Sequence, residues 1–108
     1  NDFVVPKKNK NYYSSFHLYP LKIKFSNFKK NKKDFFVYMN KNNINLQVHY
    51  KPIYRFNLYK KFIKNIKEFP NAELFYSEEV SLPIYYKLSI NDQIKVINKI
   101  KSYFNVWY

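Results

Sequence analysis

No glycine occurs among the 108 residues of this chain. Every residue therefore carries a Cβ, and the left-handed backbone geometry that closes helices and tight turns has to be taken by a residue for which it is unfavourable. Asparagine is the next-best occupant of such closing positions. The same absence removes whole function classes. Without glycine there is no phosphate-binding P-loop, no dinucleotide fingerprint and no nucleophile-elbow serine. Cysteine is also absent, and only His17 and His49 represent histidine. A disulfide framework, a thiolate nucleophile and a Cys-bearing or His-rich metal site are thereby excluded.

The charge balance invites a nucleic-acid reading, with 20 Lys+Arg against 7 Asp+Glu, a formal charge of +13 and 22% aromatic residues. Two observations weaken it. Phe, Tyr, Met, Ile, Asn and Lys supply 68 residues, whereas Gly, Ala, Arg and Pro supply 7. The first group has A/T-rich codons and the second G/C-rich ones, so genome bias accounts for the lysine excess. Moreover, 19 of the basic residues are Lys and only Arg55 is Arg. A surface built to grip phosphate or read bases favours the planar, bidentate guanidinium. The chain has the length of one domain and enough apolar residues, 46%, to form a core. It holds no run of about 18 apolar residues to span a membrane and no visible signal peptide, which points to a cytoplasmic protein.

Periodicity gives an α+β order. Phe16 to Phe25 alternates, with Leu21, Ile23 and Phe25 separated by Lys22 and Lys24, and reads as a half-buried strand in which Pro20 marks an edge or a break. Ser26 or Asn27 is the expected cap of a helix carrying Phe28, Phe35 and Met39, which should stop near Asn42–Asn43. Ile44 to Tyr50 reads as a second strand. Tyr54, Leu58, Phe62 and Ile66 recur every four residues and suggest a helical segment within 53–69. Asn71 is the expected cap of a short helix from Ala72 to Val80, and Ser81-Leu82-Pro83 should be extended. Glu78–Glu79 read as part of a helix face. A last helix begins at Ser89, with Asp92 three residues on in a capping-box arrangement, and Ile90, Ile94, Ile97 and Phe104 as its apolar stripe.

Three segments, in this order, carry a family resemblance. Ser15-Phe16-His17-Leu18-Tyr19-Pro20 resembles the opening strand of the small C-terminal domain of the DegT/DnrJ/EryC1/StrS sugar aminotransferases. Leu46-Gln47-Val48-His49-Tyr50-Lys51-Pro52-Ile53-Tyr54 resembles that domain's second strand and the loop leaving it. Phe69-Pro70-Asn71-Ala72-Glu73, Phe75-Tyr76, Ser81-Leu82-Pro83, Leu88-Ser89 and Asp92-Gln93 resemble its closing segments. The wording of these runs is most similar to the branch that aminates the C4 keto group of a UDP-linked 4-keto-6-deoxy-HexNAc in pseudaminic-acid biosynthesis. The family usually places glycine on both sides of the Ile that begins the second strand. Asn43 and Asn45 stand there instead.

The resemblance implies a homodimeric fold type I enzyme that uses pyridoxal 5'-phosphate, with glutamate as amino donor and a UDP-linked keto sugar as acceptor. It implies that residues 1–14 are an irregular lead-in from an upstream domain or linker, and that residues 15–108 are the small domain. None of the 19 lysines matches the family's Schiff-base lysine, so no catalytic or cofactor-binding residue is expected in this segment, which should be inactive alone. Substrate contacts are expected from Gln47, Val48, His49 and Tyr50, with Tyr54 and Arg55 further along. Strand alternation would put Gln47 and His49 on one face and Leu46, Val48 and Tyr50 on the other. Arg55 is a candidate diphosphate contact, with a solvated loop residue as its plainer reading. His17 is expected to pack under the sheet. The rival function is a basic, aromatic-rich nucleic-acid-binding α+β module. It lacks the glycine that the RNA-recognition sheet motif places beside its stacking aromatics. A truncated gene product without activity is a third reading.

Overall fold

The computed structural model describes residues 2–107. A single antiparallel sheet runs in the order β1 (Phe3–Val4), β2 (Tyr19–Ile23), β3 (Glu79–Leu82). Phe3 lies opposite Ile23, and Leu21 opposite Val80. The period of two predicted for the first strand holds, since Leu21 and Ile23 are buried on either side of half-exposed Lys22. The strand is shorter than the 16–25 run, because Phe16 has a positive φ of 51° and Phe25 opens a 3-10 turn, Phe25–Phe28. Residues 1–14, expected to be irregular, contribute Phe3–Val4 as an edge strand.

Pro20 occupies an edge position, as predicted, even though β2 is the central strand. β1 reaches only Lys22 and Ile23, so Pro20 has a neighbour on one side alone. That neighbour, Ser81, turns its own N–H and C=O away to Gln47. No ladder bond is lost through the missing proline N–H.

Helix α1 (Lys32–Lys41) is capped by Asn31, whose Oδ1 accepts from the Asp34 N–H at 2.8 Å. Ser26 and Asn27, the expected caps, lie instead inside the 3-10 turn. The helix closes as the asparagines predict. Asn43 takes φ 58°, the Ile44 N–H reaches the Met39 carbonyl at 3.0 Å, and the Asn43 N–H reaches Asn40 at 2.9 Å. This is a Schellman closure, and buried Ile44 and Met39 form its apolar contact.

The predicted second strand, Ile44–Tyr50, does not form. Only Gln47 bridges to Ser81, through two backbone bonds of 3.1 and 2.8 Å. β3 is four residues long, with a helix before it and Pro83 after it, so little edge is available for a fourth strand. Residues 53–69 form no single helix either. They comprise 3-10 turns at Ile53–Arg55 and Ile66–Glu68 and a one-turn helix α2 (Asn57–Lys60). The extended backbone at Phe56 interrupts the four-residue spacing, and Leu58 and Phe62 are exposed.

Helix α3 (Pro70–Glu78) begins two residues before the expected start and has no side-chain cap from Asn71. Pro70 supplies the first helical position, where the absent N–H would have had no partner. The helix ends at Glu78, and Glu79 enters β3 fully buried rather than sitting on a helix face. Ser81 and Leu82 are extended, as their place before Pro83 predicts.

Helix α4 (Ile90–Phe104) starts where predicted, with the Ser89 hydroxyl accepting from the Asp92 N–H at 3.0 Å. Its buried face differs from the expected stripe. Val96, Ile100 and Phe104 enter the core, while Ile90, Ile94 and Ile97 remain 73%, 48% and 49% exposed. Phe104 is the hub of an aromatic cluster, with ring centroids of Phe28, Phe35 and Phe3 at 4.7, 5.2 and 5.3 Å. Leu21, Ile23, Val80, Phe35 and Met39 complete a core between the sheet and helices α1 and α4. The architecture is the small α+β layer that the alternation of elements implies.

Candidate functional site

The segment from Gln47 to Arg55 leaves the edge of β3 and passes in front of α3, and two polar clusters form along it. In the first, the Ser81 hydroxyl donates to Glu79 Oε1 at 2.5 Å and lies 2.8 Å from His49 Nδ1. The His49 backbone N–H donates to Glu79 Oε2 at 3.1 Å. These bonds explain how a fully buried carboxylate is tolerated, since each of its oxygens meets a donor. The Lys32 ammonium lies close enough for the Glu79 charge to act on it. Burial nevertheless pushes the Lys32 pKa below its ordinary value, because the Glu79 field offsets only part of the desolvation. Lys32 Nζ donates to the Tyr76 carbonyl at 2.7 Å.

In the second cluster, Arg55 makes a two-pronged ion pair with Glu73, through Nε to Oε1 at 3.0 Å and Nη2 to Oε2. The Tyr54 hydroxyl donates to the same Oε1 at 2.9 Å. The Arg55 hydrogen bonds, joined by that of Tyr54, hold the Glu73 carboxyl below its ordinary range despite opposing desolvation. Desolvation first, and then the bond to Glu73, raises the Tyr54 phenol. The Tyr54 ring stacks on Phe69 at 4.7 Å, and the Arg55 guanidinium lies over the Tyr76 ring at 5.2 Å.

The residues expected to touch substrate are thus divided. Gln47 and His49 line one cleft of about 380 Å³ together with Ser81, Pro83 and Tyr85. Val48 and Arg55 line a neighbouring, open cleft of about 580 Å³ against Glu73 and Tyr76. The expected alternation holds through His49, since Gln47 and His49 share the first cleft while Val48 faces the second. It departs at Tyr50, which stays 70% exposed where Leu46 and Val48 are half-buried. Tyr50 stands edge-on to the His49 ring at 4.7 Å, across a cis peptide bond. Tyr54 is buried, and Arg55 is tied to Glu73 instead of standing in solvent. His17 is exposed at the rim of the first cleft rather than packed under the sheet. Sequence reasoning missed Glu79 and Ser81 as partners of His49. Ser81 belongs to the Ser81-Leu82-Pro83 run, but nothing local to Glu79 distinguishes a buried carboxylate from one on a wet helix face.

Comparison with known proteins decides the relationship. Residues 1–101 match the DegT/DnrJ/EryC1/StrS aminotransferase family. The chain belongs to that family. It is 38% identical over 100 residues to the uncharacterized protein MJ1066 of Methanocaldococcus jannaschii, covering 92% of this chain and 26% of that one. It is 40% identical over 79 residues to the UDP-4-amino-4,6-dideoxy-N-acetyl-beta-L-altrosamine transaminase of Campylobacter jejuni, covering 73% of this chain and 20% of the relative. The solved structure of Helicobacter pylori PseC, an aminotransferase involved in the biosynthesis of pseudoaminic acid, superposes with a TM-score of 0.74 at 34% identity. That superposition covers 85% of this chain and 24% of PseC. The chain therefore spans about a fifth to a quarter of the length of these relatives.

Proposed function

We propose that residues 15–108 are the C-terminal small domain of a nucleotide-sugar aminotransferase. The complete enzyme transfers an amino group from glutamate to the C4 keto group of a UDP-linked 4-keto-6-deoxy-HexNAc, and works as a cytoplasmic homodimer. The observation that carries this reading is the family match along residues 1–101, supported by the 40% identity to the Campylobacter transaminase. Family membership accounts for the chain without recourse to a nucleic-acid-binding role.

The family's chemistry calls for pyridoxal 5'-phosphate, which supplies a reversible carrier for the amino group. The described residues do not fit it as a resident group. A Schiff-base lysine needs an amine open to its cofactor, and half-buried Lys32 is held by the Tyr76 carbonyl and lies 5.2 Å from the Tyr76 ring centroid. On this reading the cofactor is held by the remainder of the protein. The small domain contributes one wall of the substrate cleft. Gln47 and His49 offer hydrogen-bonding groups to sugar hydroxyl, acetamido or uracil atoms, and Tyr50 offers an exposed ring face. Val48 lines the adjoining surface, Tyr54 braces Glu73, and Arg55 carries a charge on which a diphosphate would have to compete with Glu73.

The test uses the protein encoded by the whole parent reading frame. Purified protein should carry the absorbance of bound pyridoxal 5'-phosphate and should convert the keto sugar nucleotide to its amino form with stoichiometric 2-oxoglutarate from glutamate. Absence of the cofactor, or of amination across a panel of UDP-keto sugars, would overturn the reading.

A further inference from the structure

Glu79 contributes to the fold as an edge-strand residue, but a buried carboxylate is a costly way to fill that position. Its contacts suggest a purpose. A hydroxyl carries one proton. The Ser81 proton is directed to Glu79 Oε1 at 2.5 Å, so Ser81 Oγ meets His49 Nδ1 at 2.8 Å as an acceptor. The ring proton of neutral His49 then resides on Nδ1, and Nε2 carries a lone pair. The second Glu79 oxygen receives the His49 backbone N–H at 3.1 Å, fixing main chain and ring from the same carboxylate. Nε2 makes no hydrogen bond to a described residue, and among the described residues no buried side-chain nitrogen lacks a partner. Nε2 is therefore accessible to solvent, and His49 lines the cleft bounded by Gln47, Pro83 and Tyr85.

We propose that Glu79 and Ser81 are positioning residues that hold His49 in its Nδ1–H tautomer and so present Nε2 as a hydrogen-bond acceptor to the cleft, where it selects a ligand hydroxyl or N–H over a carbonyl. The tautomer stands on this chain's own geometry. The identity of the ligand as a sugar nucleotide rests on the function proposed above. The relay joins residues 30 and 32 positions apart in sequence. It makes His49 a one-way recogniser: a ligand donor gains a hydrogen bond, and a ligand acceptor at the same place meets a second lone pair.

The first test is ¹⁵N NMR of the full chain labelled at histidine, about two pH units above the ordinary imidazole pKa of roughly 6.5. The ring signals lost in a His49→Gln variant are those of His49. His49 should show a pyrrole-type Nδ1 and a pyridine-type Nε2. Ser81→Thr, which keeps the hydroxyl, should preserve that pattern. Ser81→Ala should move it toward the Nε2–H form that free imidazole favours. Glu79→Gln should do the same, because a carboxamide can donate to Ser81 and turn its proton onto Nδ1. An Nε2–H form in the unsubstituted chain, or in Ser81→Thr, overturns the tautomer proposal even if the other variants fail to fold. An unmoved pattern in well-folded Ser81→Ala overturns it as well.

The second test is kinetic, in the complete enzyme. Ser81→Ala should raise KM for the keto sugar roughly two- to tenfold, the worth of one hydrogen bond, and Ser81→Thr should restore it. An unchanged KM alongside the expected tautomer would overturn the ligand-selecting role while leaving the relay standing. If the enzyme proves to catalyse a different reaction, the NMR result still decides the relay, so the two failures remain separable.

Discussion

In a chain without glycine, the cost of left-handed closures can be measured directly. Asn43 and Asn105 close α1 and α4 at φ 58° and 55°. At the second site the Val106 N–H reaches the Lys101 carbonyl at 3.0 Å, and half-buried Val106 packs on the core. Neither asparagine side chain makes a hydrogen bond to another described residue, so what substitution changes there is the backbone. A left-handed L-residue costs roughly 1–2 kcal/mol, and asparagine escapes part of this. Alanine at either position should therefore destabilise by about 1 kcal/mol. Glycine removes the strain that asparagine retains, about 0–1 kcal/mol, but raises the entropy of the unfolded chain by roughly 0.5–1 kcal/mol, leaving a net change between a loss of about 1 and a gain of about 0.5 kcal/mol. Asn45 is the internal control, because it does not have positive φ. Its side chain accepts from Asn40 at 3.2 Å, a bond that glycine and alanine lose equally. The order should be glycine above alanine by up to about 1.5 kcal/mol at 43 and 105, and alanine above glycine by roughly 0.5–1 kcal/mol at 45. Thermal unfolding followed by far-UV circular dichroism reads this as a separation of roughly 4–8 °C per kcal/mol. Alanine exceeding glycine at position 105, as it should at 45, would refute the reasoning.

Three further outcomes follow from the packing and the charges. Phe104→Ala removes the ring at the centre of the aromatic cluster and should cost about 3–5 kcal/mol in urea denaturation; a loss below about 1 kcal/mol would mean the cluster is not the core. Glu73 has a folded pKa below its ordinary 4.5, so its pairing with Arg55 stabilises above that value and is lost as pH falls through the folded pKa. The stability gap between the unsubstituted chain and Glu73→Gln should accordingly shrink in acid, and a gap independent of pH between neutrality and acid would contradict the pairing. The exposed apolar side of α4, with the groove it forms beside Leu82 and Tyr85, should make the isolated chain bind an apolar-surface dye. Ile94→Lys with Ile97→Lys should reduce that binding, and a monodisperse chain silent to the dye would remove the case for a covered face in the longer protein.

What the sequence determined by itself is what short-range chemistry controls. The closure of α1 at Asn43, the Ser89–Asp92 start of α4 and the alternation through Leu21 and Ile23 each depend on residues within a few positions of one another. The family was legible for a related reason, since ordered short motifs survive heavy drift toward lysine and asparagine. Tertiary structure decided the rest. Ile44–Tyr50 has a strand-like pattern, but strands exist only by pairing, and the edge of β3 offers Ser81 alone. Helix α4 carries apolar residues on more than one side, and only packing against β2 and α1 could choose Val96, Ile100 and Phe104 over Ile90, Ile94 and Ile97. The candidate site divides in the same way. Gln47 and His49 were named from their motif, whereas the carboxylate that fixes His49 lies 30 residues away. A polar residue's identity can be read locally. Its burial, and hence the direction in which it points a proton, is set by what the chain brings beside it.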